Sequence, residues 1–144
     1  MSTTFPKIEE VQRKWFVLDA SNTPVGRMAV LVADTLRGKR KANFAPHVDT
    51  GDFVIVINSA KVALTGDKEN QKIYQSYTGF PGGQLNKPAK EVRARNPNRL
   101  VEDAVWGMLP KRRLGRQQYG RLFVYPTAEH PHKAQLPLPL ALKD

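Results

Sequence analysis

Phe53-Val-Ile-Val-Ile57 is apolar at five successive positions. A strand with one face in water alternates apolar and polar residues. An unbroken run therefore predicts a strand covered on both faces, at the centre of a layered α/β sheet. Asp49, Gly51 and Asp52 lead into it. Paired acids before a strand can hold a metal, but beside so many cations they are read as internal salt-bridge partners or loop caps.

Upstream, Trp15-Phe-Val-Leu18 is a second short apolar run and fits a buried strand. Thr23-Pro24 then opens a helix, with Thr23 as N-cap and proline at the first helical position. Val25, Met28, Ala29, Val32 and Leu36 recur at helical spacing as one apolar stripe, and Gly38 ends it. Residues 1–14 are polar and charged, with Met1, Phe5, Ile8 and Val11 as the only large apolar anchors. They read as an arm that orders against a partner.

Downstream, Val62-Ala-Leu-Thr65 is a short apolar piece, and residues 72–78 alternate loosely as an edge strand or an extended arm. Gly79-Phe-Pro-Gly-Gly83 lacks the Gly-Lys-Ser/Thr ending of a phosphate-cradling loop, so it reads as a flexible connection. Its Tyr77 and Phe80 are suited to stacking on unpaired bases. Residues 88–95 form a short basic helix. Asn96-Pro97 caps a longer one, with Leu100, Val101, Ala104, Val105 and Met108 on one face. Leu122-Phe-Val-Tyr125 is a final strand, and Leu136-Pro-Leu-Pro-Leu140 favours an extended, polyproline-like tail. Strand, helix, strand, then helix and strand again predict one α/β layered domain with long decorations.

The composition limits what such a domain can do. The 144 residues include 23 Lys plus Arg against 13 Asp plus Glu, a net charge of +10. That excess points to nucleic acid or an anionic surface. The absence of cysteine excludes disulfides, thiolate metal sites and cysteine nucleophiles. No apolar run is long enough to span a membrane, and the amino terminus lacks a signal-like segment, so a cytoplasmic location is expected.

The charge is clustered. Residues 107–121 carry Lys111, Arg112, Arg113, Arg116 and Arg121 and no acid, on a connection between a helix that ends near Pro110 and the last strand. Held between two packed elements, these five cations are expected to face solvent, where their self-repulsion favours a polyanion partner. Arg37, Lys39, Arg40 and Lys41 surround the end of the first helix, more cations than capping its dipole requires. The competing reading of either cluster is a solvated basic surface. His130 and His132 flank Pro131 without a nearby third ligand, which fits a hydrogen-bonded structural pair better than zinc.

Several stretches together resemble the bacterial large-subunit ribosomal protein L-thirteen family. They are Trp15-Phe-Val-Leu-Asp19, Pro24-Val-Gly-Arg27, Leu36-Arg-Gly-Lys39 and Gly51-Asp-Phe-Val-Ile-Val-Ile-Asn58. Lys72-Ile-Tyr74, Tyr77-Thr-Gly79, Gly82-Gly83 and Arg95-Asn-Pro97 follow in the same order. So do Val105-Trp-Gly-Met-Leu-Pro110, Gly115-Arg116, Leu122-Phe-Val-Tyr125, Glu129-His-Pro-His132 and Ala134-Gln135. Trp106 stands where that family usually carries a basic residue, and Pro126-Thr127 where it usually has Ala-Gly.

The resemblance implies a three-layer α/β/α fold around a short, mostly parallel four-stranded sheet. It implies a structural, non-enzymatic ribosomal protein that binds large-subunit ribosomal RNA and joins early in assembly, with neighbouring ribosomal proteins as further partners. No cofactor, metal, membrane or small-molecule substrate is expected. The boundaries are an arm at 1–14, an RNA-binding domain at 15–135 and an extended tail at 136–144. The RNA-binding residues are expected to be Arg37, Lys39, Arg40, Lys41, Lys72, Tyr74, Tyr77, Lys111, Arg112, Arg113, Arg116 and Arg121. Two rival classes are an RNA-modifying enzyme on an α/β fold and a basic module for an acidic protein partner.

Overall fold

The computed structural model describes residues 6–141. Its strands and helices in chain order are β1 (Trp15–Asp19), α1 (Val25–Arg37), β2 (Phe53–Ile57), α2 (Lys68–Gln71), β3 (Ile73–Tyr77) and β4 (Gln84–Pro88). Then come α3 (Ala89–Arg95), α4 (Asn98–Met108), α5 (Arg113–Tyr119), β5 (Leu122–Val124) and β6 (Leu138–Pro139). Of the sequence expectations, the anchors Met1 and Phe5 and the tail residues Leu142 and Lys143 lie outside the described residues.

Four strands form a parallel sheet in the order β5-β2-β1-β6. β1 and β2 pair along their full length, from Trp15 opposite Phe53 to Asp19 opposite Ile57. Strand alternation puts Leu18, Val54, Val56, Leu122 and Val124 on one face. There they join Met28, Val32 and Leu36 of α1 and Leu100, Val101 and Val105 of α4 in the main core. On the other face Trp15 stacks on Phe53, ring centres 4.3 Å apart and planes 6° apart. His132 closes this stack, 5.1 Å from Trp15 and 4.6 Å from Phe123, so the short 3-10 turn His132–Gln135 covers that side. Val54, Ile55 and Val56 are fully buried, as an all-apolar strand in a parallel sheet requires.

Residues 72–78, expected as an edge strand or an extended arm, do not join this sheet. That segment forms β3, which pairs antiparallel with β4 in a separate two-stranded sheet. The fourth position is filled by Leu138–Pro139, opposite Phe16 and Val17, and the Leu140 N–H donates to the Val17 carbonyl at 2.8 Å. A proline is tolerated there because a sheet edge does not need its missing N–H.

Two local expectations also change. Thr23 does not cap α1: its hydroxyl donates to the Ser21 carbonyl at 3.2 Å, and Pro24 takes the cap position. The helix start is satisfied by backbone instead, because Val25 N–H donates to the Ala63 carbonyl at 3.1 Å. The short apolar piece at residues 62–65 contributes one bridge, Pro24 to Ala63. At the far end Gly38 adopts φ 78° and its N–H returns to the Asp34 and Thr35 carbonyls, a left-handed cap that favours glycine. At α4 Pro97 takes the cap position, and Asn96, one residue earlier, accepts from the Asn98 N–H through its side-chain oxygen at 3.2 Å.

Candidate nucleic-acid interface

The acids before β2 decide which cations remain available. Arg121 is 7% exposed and forks onto Asp49: Nη1 donates to Oδ2 at 2.7 Å and Nη2 to Oδ1. Nη2 also reaches the Leu36 carbonyl at 3.3 Å. Arg13 approaches Asp49 at 3.6 Å. Lys41 pairs with Asp52 at 2.7 Å and donates to the Gln12 carbonyl at 2.9 Å, while Lys14 N–H donates to the same carboxylate. Asp49 and Asp52 are therefore internal salt-bridge partners, as their setting among cations suggested. The expectation that Arg121 faces solvent is corrected, because its guanidinium is committed to Asp49 and the end of α1. Lys41 is half-buried for the same reason.

Around the end of α1, Lys39 pairs with Asp34 at 3.2 Å across the surface. Arg37 is half-buried and Arg40 exposed, and neither has an ion-pair partner among the described residues. Arg121 joins this end of α1 to the segment after α5, and α1 and α5 pack directly. The two basic stretches are thus tied to one another rather than carried on independent loops.

The second stretch is not a plain connection either. Leu109 and Pro110 end α4, and α5 starts at Arg113. The tight turn depends on Gly115, where a Cβ would lie 1.7 Å from the Pro110 carbonyl oxygen. This packing presents Arg112, Arg113 and Arg116 to solvent with no acid partner among the described residues. Lys111 differs: its ammonium donates to the Trp106 carbonyl and sits 4.7 Å over the indole.

The remaining expected residues lie on the hairpin, which packs on α2 and α3. Lys72 is 5.0 Å over the Tyr74 ring, and Tyr74 is half-buried against the core. Tyr77 and Phe80 are exposed, at 66% and 73%. An open recess of about 520 Å³ runs beside Tyr77, lined by Gln75, Gly82 and Gln84.

Two features escaped the sequence reading. Arg27 and Lys68 line a cleft of about 380 Å³ at the start of α1, with Pro24, Ala63 and Thr65. Between α4 and α5, Asp103, Trp106, Arg116 and Tyr119 line a recess of about 290 Å³. Neither has a contiguous motif, since each needs two elements to be packed together.

Groups suited to other chemistry are held in structural roles. The Tyr125 hydroxyl and His132 Nε2 are hydrogen-bonded at 2.9 Å, but the expected hydrogen-bonded pair extends no further: the rings of His130 and His132 lie 6.4 Å apart, and His130 Nδ1 is buried without a hydrogen-bond partner among the described residues. Among the described residues no group of three His, Cys, Asp or Glu side chains is placed to hold a metal ion. Hydrogen bonds from Asn58 and Ser21 hold the Asp19 carboxyl below its usual range, with Lys61 contributing. Burial, then the neighbouring Asp103, pushes Glu102 up. No described helix is long and apolar enough to cross a membrane.

The profile of the family described as Ribosomal protein L13 matches residues 13–131. The chain is 52% identical over 142 residues to a protein of Akkermansia muciniphila named large ribosomal subunit protein uL13, covering 99% of this chain and 100% of that one. Proteins of the same name from Methylacidiphilum infernorum and Cutibacterium acnes are each 51% identical. The first covers 99% of both chains, the second 96% of this chain and 95% of its own.

Proposed function

This chain belongs to the ribosomal protein L13 family, and on that footing we propose that it is a structural constituent of the large ribosomal subunit, acting in the cytoplasmic ribosome. It binds large-subunit ribosomal RNA, takes part early in subunit assembly and carries out no catalysis. The observation that carries this reading is the set of guanidinium groups at Arg112, Arg113 and Arg116, displayed by a rigid turn with no acid beside them. Neutralised phosphates release counterions, and planar guanidinium groups can engage two phosphate oxygens at once. Arg37, Lys39 and Arg40 extend the contact along the end of α1. On the hairpin Lys72 supplies charge, while Tyr77, and Tyr74 where its ring is exposed, supply stacking surfaces for unpaired bases. Lys111 belongs to the same surface, whereas Arg121 and Lys41 act from behind it by fixing its position.

Residues 15–135 form the RNA-binding domain in this reading, with residues 12–14 and 138–140 tied to it by the contacts described above, and the rest of 1–14 and 136–144 reaches neighbouring ribosomal proteins. The test is a pull-down of the tagged chain from lysate, with and without RNase. Association with large-subunit rRNA that is lost on RNase treatment is the expected result. A partner retained after RNase, without rRNA, would support a basic module for an acidic protein instead.

A further inference from the structure

We propose that the recess between α4 and α5 receives one unpaired nucleotide of ribosomal RNA, its base against Trp106 and Tyr119 and its phosphate beside Arg116. The inference rests on the rRNA-binding reading above and adds a specific contact to it. The two rings meet edge to face, with centroids 5.2 Å apart and planes at 66°. They form a corner, so a planar ring can lie on one wall and abut the other. The recess, about 290 Å³, lies at the lower limit of small-ligand sites, roughly 300 Å³. A duplex cannot enter it, but one splayed base can.

The polar groups on its wall separate a base from a bare phosphate. Arg116 has no acid partner among the described residues and can take the phosphate. Asp103 also lines the recess, with Oδ2 paired to Arg99 at 3.3 Å and Oδ1 left as an acceptor. A carboxylate would repel a phosphate, whereas it accepts from the amino group of adenine, cytosine or guanine. Burial, together with Glu102 and Asp103, raises the Tyr119 hydroxyl above its ordinary range, so it remains a neutral donor. Lys111, 4.7 Å over the indole, places a second cation beside Trp106.

The test uses the full chain and large-subunit rRNA. Trp106→Leu keeps bulk but removes the aromatic face, and should weaken binding about 5- to 150-fold, the loss of one stacked base. The salt dependence should stay unchanged, because no charge is removed. Trp106→Phe should bind within about threefold of the parent. Dimethyl sulfate probing should show one base protected by the parent and by Trp106→Phe but uncovered with Trp106→Leu. Equal affinity and equal footprints for the Leu variant would overturn the proposal. If that variant does not fold, ultraviolet cross-linking of the parent decides: a nucleotide adduct on Trp106 or Tyr119 supports the contact, and adducts confined to other peptides refute it. Micromolar binding of adenosine or guanosine monophosphate to the isolated chain would assign the recess to a free nucleotide and overturn the rRNA source. A parent chain with no salt-dependent rRNA binding would instead refute the broader functional reading.

Discussion

Replacing Arg112, Arg113 and Arg116 together with Ala should separate RNA binding from folding. All three side chains are exposed and unpaired among the described residues. Each lost duplex phosphate contact reduces the slope of log affinity against log salt by about 0.9, so the triple variant should be flatter by about 2.7. Between 50 and 200 mM salt the parent should then lose about 40-fold more affinity than the variant. Arg121→Ala, only five residues beyond Arg116, should behave in the opposite way. It leaves Asp49 with Arg13 alone at 3.6 Å, and breaking a buried pair costs about 3–5 kcal/mol. Its salt slope should be unchanged wherever it remains folded. Filter binding across a salt series, with thermal melts of each variant, supplies both measurements. An unchanged slope in the triple variant would show that these arginines are a solvated surface. A flattened slope in Arg121→Ala with full stability would show that the Asp49 pair does not persist in solution.

Gly115→Ala should lower the melting temperature by roughly 4–10 °C, because the new methyl meets the Pro110 carbonyl and the turn must open; an unaltered melt would refute the close approach. Asp19→Asn should destabilise the chain at pH 7. The depressed native pKa of Asp19 means its contribution is present above the unfolded value of about 3.9 and disappears as pH falls through the native value, so melts of the two proteins should converge in acid. In the isolated chain Lys41 should acetylate more slowly than Lys39, since its ammonium is held by Asp52 and the Gln12 carbonyl. Within the large subunit both should be protected. Mass spectrometry after brief labelling reads both rates, and equal rates in the isolated chain would count against the Asp52 pair.

What could be read in advance was local. The apolar run at Phe53–Ile57 specifies a doubly covered strand by itself, and Gly38 after a helical stripe specifies a left-handed cap. Cationic clustering is equally visible, but whether a cation is available depends on partners far along the chain. Nothing near Arg121 in sequence distinguishes it from Arg116, because its carboxylate partner is 72 residues away. Thr23 misled for a related reason: a preferred capping residue is not required when another backbone segment supplies the acceptor. Trp106 stood out only as a departure from the family pattern. Its wall with Tyr119 exists because Gly115 folds α5 against the end of α4.

The pairing of Leu138–Pro139 with β1 gives the sheet a built-in order in time. As the chain is synthesised, β1 can find β2 early, and β5 can then extend the other edge of β2. The outer edge of β1 must wait for residues separated from it by most of the chain. Through that interval the nascent protein carries an open row of backbone donors and acceptors, the kind of edge that recruits other strands. Arrival of the late segment covers this edge at Phe16 and Val17, so truncation before Leu138 should yield a chain with a formed core and a persistently adhesive side.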